Sequence, residues 1–335
     1  MEITNLISNK DQSILITSAG RRVELIKLFQ KAKKGILNNA EIITTDLNVR
    51  TAPACFFSDK SFNICHASNE SYVDDLLNIC LKNNIKLVIP TIDTELIKLS
   101  ESSENFAKKG INIVISEKFF IKKCRNKLHT SSMLNYFDIK MPYIINKKKL
   151  TFPCFMKPIS GSSSKGIKKI FSKEQLSISE KKDPNNFFQE LIPEDWIEYT
   201  ADLYYSKNSD LISCVTRERI DIRGGEINKG IIRRDGVYEF LTTHLSSFPG
   251  AKGVITIQLF CNKLRNEFLV IEINPRFAGG YPMSHASGVD YPSLLIKEYI
   301  LDIKPKIFND WKSDIFCMRY DSMIVSEIPN RKENS

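Results

Sequence analysis

Between residues 13 and 115 short apolar runs alternate with longer amphipathic ones. SILITSAG at 13–20 predicts a buried strand, 21–34 a helix, AEIITTD at 40–46 a strand and 70–83 a helix. IKLVIPT at 85–91 then predicts a strand, 93–108 a helix and INIVIS at 111–116 a strand. This is the βαβ rhythm of a parallel, doubly wound sheet. Past residue 116 the pattern changes. Two short helices are predicted at 117–123 and 126–136, followed by a strand, FPCFMKP, that runs into a Ser/Gly loop. The runs NFFQELI, EYTADLYYS, DLISCVTRERI, GVITIQLFCN and EFLVIEINPRF come next, short and alternating, as in antiparallel sheet. An α/β part is thus followed by an α+β part, without internal repeats, and the polar residues from 326 form a tail.

Composition adds limits. With 335 residues, 42% hydrophobic and 26% charged, the chain can bury a sizeable core, which excludes disordered and collagen-like classes. The 48 Lys and Arg against 39 Asp and Glu give a net charge of +9, which suits an anionic partner. The lysines are scattered among Asn and Ile residues, however, so charge alone does not select nucleic acid. Eight cysteines lie far apart in apolar runs with no zinc-site spacing, which predicts free, buried thiols in a reducing compartment. No stretch reads as a secretion signal or approaches the ~18 apolar residues of a membrane span, and a soluble cytoplasmic protein is expected.

Candidate chemistry sits at strand ends. The first strand leads into Ser18-Ala19-Gly20-Arg21-Arg22 and the second ends in Asp46, a turn and a carboxylate that suit an anion and a ribose hydroxyl. The turn is not G-x-G-x-x-G, so a nicotinamide cofactor is one reading and simple helix initiation the other. Asp93 and Glu95 follow the third strand as substrate-contact candidates, although helix capping explains them as well. Lys157 closes an apolar strand and precedes Ser160, Gly161, Ser162, Ser163, Ser164, Lys165 and Gly166, a loop rich in amides and hydroxyls that can hold a polyphosphate or merely connect a hairpin. Glu272 and Asn274 stand two apart in VIEINPR and so share a strand face, with Gln258 in an earlier strand. Such oxygen donors suit magnesium, and Arg276 beyond Pro275 can reach a transferred phosphoryl group; a Glu–Arg surface pair is the structural alternative.

In combination, FMKP with its Ser/Gly loop, QELI followed by EYTADLY, Gln258 and the closing IEINPRF resemble the ATP-grasp superfamily, in particular the synthetase domains of carbamoyl phosphate synthase large subunit. The resemblance covers nearly the whole chain, since ILITSAGRRVELIKLF and LVIPTIDTEL look like the pre-ATP-grasp domain of that branch. It implies a Rossmann-like pre-ATP-grasp domain at 1–116, an ATP-grasp small lobe at 117–188, a C-terminal lobe at 189–325 and the tail at 326–335. It further implies that Lys127, Lys157 and the loop 160–166 contact ATP phosphates, that Glu190 with the backbone of Leu191 and Ile192 meets adenine, and that Glu198 takes the ribose. Gln258, Glu272 and Asn274 would hold magnesium, two ions or manganese in its place. Arg276, Lys229 and Arg219 would act on the reacting groups, and Arg217, Arg223, Asp93 and Glu95 on substrate. The loop departs from its relatives at Ser163 and Lys165, where Gly and Arg are usual.

The implied activity is an ATP-dependent joining of a small-molecule carboxylate to an amine or thiol through an acyl phosphate, in an enzyme without nucleic-acid or membrane partners; related folds often form homodimers. A carboxyphosphate- or carbamoyl-phosphate-type synthetase and a non-catalytic nucleotide-binding protein are the alternatives. A nicotinamide dehydrogenase is a third.

Overall fold

The computed structural model describes residues 12–37, 39–161 and 166–327. Its first part contains β1 (Ser13–Ile16), α1 (Val23–Lys33), β2 (Ile42–Asp46), β3 (Lys60–Asn63), α2 (Tyr72–Lys82), β4 (Ile85–Ile89), α3 (Leu96–Lys108) and β5 (Asn112–Ile113). The strands pair in parallel in the order β3-β2-β1-β4-β5. Strand β1 reads as an unbroken apolar run because both of its faces are covered: Ile14 and Ile16 join α1 in one core, Leu15 joins α2 and α3 in another. The pattern does not predict β3. As an edge strand with little burial, KSFN has no apolar run to mark it.

Helices α4 (Lys118–Arg125) and α5 (Lys127–Asn135) follow as expected. Asn126 parts them, with an extended backbone that ends α4 and a side chain that accepts from the N–H groups of Leu128 and His129 to cap α5. Strands β6 (Ile144–Ile145), β7 (Cys154–Pro158) and β8 (Lys168–Ile170), then α6 (Ile178–Lys182) and β9 (Asn186–Glu190), complete a small unit. Its antiparallel sheet, β6-β9-β7-β8, packs around Cys154, Met156, Ile170 and Phe188.

The last part comprises β10 (Ile197–Tyr205), β11 (Leu211–Arg223), β12 (Glu226–Arg233), α7 (Gly236–His244), β13 (Gly253–Asn262), β14 (Glu267–Asn274), α8 (Tyr281–Ala286), α9 (Tyr291–Tyr299) and β15 (Ile315–Met318). Its sheet is antiparallel, ordered β14-β13-β10-β11-β12-β15. Tyr199, Ala201, Leu203 and Tyr205 of β10 and Ile255, Ile257, Leu259 and Cys261 of β13 turn to a core shared with α4, α5 and α7. The two-residue period then leaves Glu198, Thr200, Thr256 and Gln258 on the opposite face.

Helix α1 ties the first and last parts together. Phe29 meets Phe277 edge-on at 5.9 Å, in a core that also contains Tyr281, Tyr291 and Leu295. All eight cysteines are free and six are buried. Among the described residues no helix is long and apolar enough to cross a membrane.

Candidate active site

The polar face of the six-stranded sheet is a ruled surface. Register places Glu272 opposite Gln258, Gln258 opposite Thr200 and Thr200 opposite Arg217, one row across β14, β13, β10 and β11. The ladder shifts beside Gln258, where Ile271 is the extra residue of β14, so Ile271 and Glu272 both border the cavity although they are consecutive. Asn274 donates to Glu272 Oε1 at 2.8 Å, joining the two side chains predicted to share that face. Above the row lies a cavity of about 810 Å³, closed by the small sheet on one side and by the segment after β4 on the other.

The small sheet contributes cations. Lys157, on β7, is buried with its ammonium 5.2 Å from the Phe155 ring centre. Burial pushes its pKa down to about 8 against the pull of Glu272, and neighbouring Lys127 adds to the depression. Lys127, the first residue of α5, donates from Nζ to the carbonyl of Gly161 at 3.2 Å, and burial lowers its pKa too, with Glu272 opposing. Glu198 lies 3.4 Å from Arg219 Nε; burial raises its carboxyl above the ordinary value even so, and Glu272 adds to the rise. Glu190 closes β9 and accepts the Tyr143 amide at 2.7 Å.

Arginines form the opposite wall. Arg276 Nη2 donates to buried Asp93 at 2.7 Å, across the junction of the first and last parts. Burial opposes the charge on Asp93, yet Arg276, Arg125 and Arg22 hold its carboxyl below the ordinary value. Arg276 pairs here and not with Glu272, so the surface-pair alternative does not apply. Arg217 is fully buried, with Nη1 bonded to Asp202 and Ser284 while Nε and Nη2 have no partner among the described residues. A Cβ at Gly280 would lie 2.6 Å from Ile227 Cγ2 and 3.0 Å from Arg217 Nη2, and one at Gly279 2.6 Å from the Glu226 carboxylate, so a side chain at either position would push these groups aside.

Family models divide the chain at the same place as its architecture. Residues 124–280 match the ATP-grasp domain, and residues 14–114 match the PylC-like N-terminal domain. The chain carries an ATP-grasp domain. Solved structures share its fold. The biotin carboxylase domain dimer of the Hydrogenobacter thermophilus 2-oxoglutarate carboxylase, in complex with MgADP, ADP and bicarbonate, superposes with a TM-score of 0.69 at 14% identity over 91% of this chain and 73% of that one. The Staphylococcus aureus N5-carboxyaminoimidazole synthetase complexed with ADP gives 0.66 at 15% identity, over 85% and 76%. The Bacillus licheniformis L-amino acid ligase gives 0.65 at 15%, over 88% and 75%. No curated protein matches by sequence.

The cavity of the ATP-grasp domain gathers most of the residues singled out from the sequence. Lys127, Lys157, Gly161, Glu190, Leu191, Ile192, Glu198, Arg217, Arg219, Gln258, Glu272, Asn274, Arg276 and Asp93 all border it. Ser162, Ser163, Ser164 and Lys165 lie outside the described residues. Ser160 is exposed and, like Gly166, does not border the cavity. Three further expectations are corrected. Glu95 is fully buried and its oxygens are used internally, Oε1 by the amides of Thr91 and Ile92, Oε2 by Tyr72 and Ser18. Arg223 is at the surface, clasping Asp321, and Lys229 is exposed outside the cavity. Arg223 is turned away because the β11–β12 ladder shifts twice, at Arg219/Asp221 and Asp221/Ile222, so that Ile222 faces the cavity in its place.

The sequence reading missed Arg22, Thr200, Phe260 and Glu226, which also border the cavity. Thr200 and Phe260 stand two residues from Glu198 and Gln258, a strand spacing that marks both. The Ser18–Arg22 turn also differs from a dinucleotide-binding one: Asp46 Oδ2 accepts the Gly20 amide at 2.8 Å, occupying a donor that a phosphate would need.

Proposed function

We propose that this chain is an ATP-dependent carboxylate–amine ligase working through an acyl phosphate. The observation that carries this is the meeting of Lys127 and Lys157 with the Gln258–Glu272–Asn274 cluster and Arg276 in one cavity. Lys127 and Lys157 meet the phosphates of ATP, Glu198 its ribose, and the segment Glu190–Ile192 its base. Gln258, Glu272 and Asn274 are one carboxylate and two amides, neutral or anionic oxygen donors that fit magnesium when phosphate oxygens and water complete its shell. Magnesium bound there supplies charge neutralisation to the transferred phosphoryl group.

A carboxylate oxygen attacks the γ-phosphorus, the bond to the β,γ-bridging oxygen breaks, and ADP leaves with that electron pair. Arg276 and Arg219 offset the negative charge that develops. The amine nitrogen then attacks the acyl carbon and loses its proton, and phosphate departs with the electrons of the carbon–oxygen bond. In this reading residues 1–116, 117–188 and 189–325 act as pre-ATP-grasp domain, small lobe and C-terminal lobe. The bicarbonate in the Hydrogenobacter structure supports a second reading, carboxyphosphate or carbamoyl-phosphate formation. Phosphate release from ATP, measured with hydroxylamine as nucleophile, separates them: organic acids yield hydroxamates under the first reading, whereas bicarbonate alone suffices under the second. Glu272→Gln abolishes release while leaving the melting temperature in place, and unchanged release by that variant refutes both.

A further inference from the structure

The C-terminal edge of the parallel sheet opens into a second cavity, of about 1090 Å³, that none of the reaction steps above uses. It adjoins the first. Arg21, Arg22, Ile92, Glu226, Ala278 and Gly279 border both. The two ends of this space differ in chemistry. At the seam, Arg22 Nη2 donates to the Thr91 carbonyl at 2.7 Å while its Nε is buried without a partner among the described residues, as are Nε of Arg276 and Nε and Nη2 of Arg217. Arg22 and Arg276 both border the first cavity, and burial with the charge of Arg276 brings the Arg22 pKa down to about 10, which leaves its charge in place at neutral pH. Glu226, Glu95 and Asp93 favour the Arg22 charge but do not outweigh its burial, and Asp93 is bonded to Arg276 and Glu226 to Arg319 at 2.8 Å. Away from the seam the walls are largely apolar, with Leu47, Met283, Met318, Tyr320 and Ile324, although Glu24, Lys27, Asp46 and His66 also border them; Leu47 is 59% and Met318 63% exposed. Such side chains face water only at a cost unless something apolar covers them.

Resting on the ligase reading, we propose that the second cavity holds the body of the carboxylic acid that is phosphorylated. Arg22 and Arg276 grip its carboxylate at the seam. The substrate class is therefore an organic acid with a bulky, largely apolar body of at least dipeptide size, since bicarbonate or acetate would leave the cavity unfilled. Arg22 is its specificity residue. An anion between two crowded guanidiniums relieves their repulsion and gives their free N–H groups acceptors.

The test uses the full chain, with hydroxylamine as nucleophile and bicarbonate, acetate, N-acyl amino acids and dipeptides as acids. Dipeptides or N-acyl amino acids are expected to raise phosphate release at least tenfold above acetate. Arg22→Gln should raise KM for the best acid at least tenfold while KM for ATP moves less than twofold. Leu47→Asp, on the apolar wall, should reduce the preference for bulky over small acids without lowering the melting temperature. Equal rates with acetate, no stimulation by any acid in a protein that binds ATP, or an unchanged KM in Arg22→Gln would each overturn the proposal. Failure of the wild type to bind ATP would instead overturn the ligase reading beneath it.

Discussion

Lys157 offers a sharp test of how the nucleotide is held. Its ammonium lies in a buried strand end, and the free protein keeps it charged only below a pKa of about 8. A bound triphosphate requires that charge, so at each pH above 8 part of the binding energy is spent on taking up a proton. Affinity should fall tenfold per pH unit there, and roughly thirtyfold between pH 7 and pH 9.5. Lys127, whose pKa burial also lowers, steepens the decline. Equilibrium titration with a fluorescent ATP analogue across that range reads the slope directly. Lys157→Arg should flatten most of it, because a guanidinium stays charged throughout, and Lys157→Met should weaken binding at pH 7 already. The same depression acts on stability with a definite sign. Between about pH 8 and the ordinary lysine value of 10.5 the unfolded chain binds the proton that the folded one has released, so nucleotide-free stability rises with pH across that window. The gain from this residue is roughly 3 kcal/mol, and Lys157→Met should lack it. Wild-type affinity constant within threefold from pH 7 to 9.5 would refute the reasoning.

Two further outcomes are expected. Asp202 is fully buried and accepts from Arg217, Ser284 and Thr256, so Asp202→Asn strands the Arg217 charge and should cost about 3–5 kcal/mol in denaturant unfolding. Replacing the pair by Asp202→Leu with Arg217→Met should restore much of that stability but not turnover. Arg223→Ala and Lys229→Ala, outside the cavity, should change kcat/KM by less than about twofold, against the roles that the resemblance implies for them.

The strands that build the cavity floor were legible because each has to satisfy two environments at once. Tyr199, Ala201 and Leu203 repeat with the period that puts Glu198 and Thr200 opposite, and Glu272 with Asn274 obeys the same rule. Glu95 stood out for another reason, its place just after a strand, and it lies instead at the start of α3 with its Oε1 taken by the Thr91 and Ile92 amides. The resemblance groups Arg223 with Arg217 on substrate, but Arg223 lies past a ladder shift that no sequence signal announces. Strand β12 was hidden for another reason: its Lys229 was given a role on the reacting groups by the resemblance, although Ile227 and Ile232 anchor the strand in the core. Helix α7 carried its own sign, Asp235, whose side chain accepts the Val237 amide.

The bulge at Ile271 has a consequence for the molecule's evolutionary freedom. Upstream of it Val270 serves the core, and downstream Ile273 does, an odd spacing that only the extra residue reconciles. Deleting Ile271 would straighten the ladder and leave Val270 and Ile273 two apart on the core side, with Glu272 and Asn274 still on the other. Single-residue insertions and deletions at the paired positions of β14 are closed to drift, whereas loss of the unpaired Ile271 preserves every facing. The spacing of the strand, rather than the identity of any one side chain, is what natural variation must leave intact.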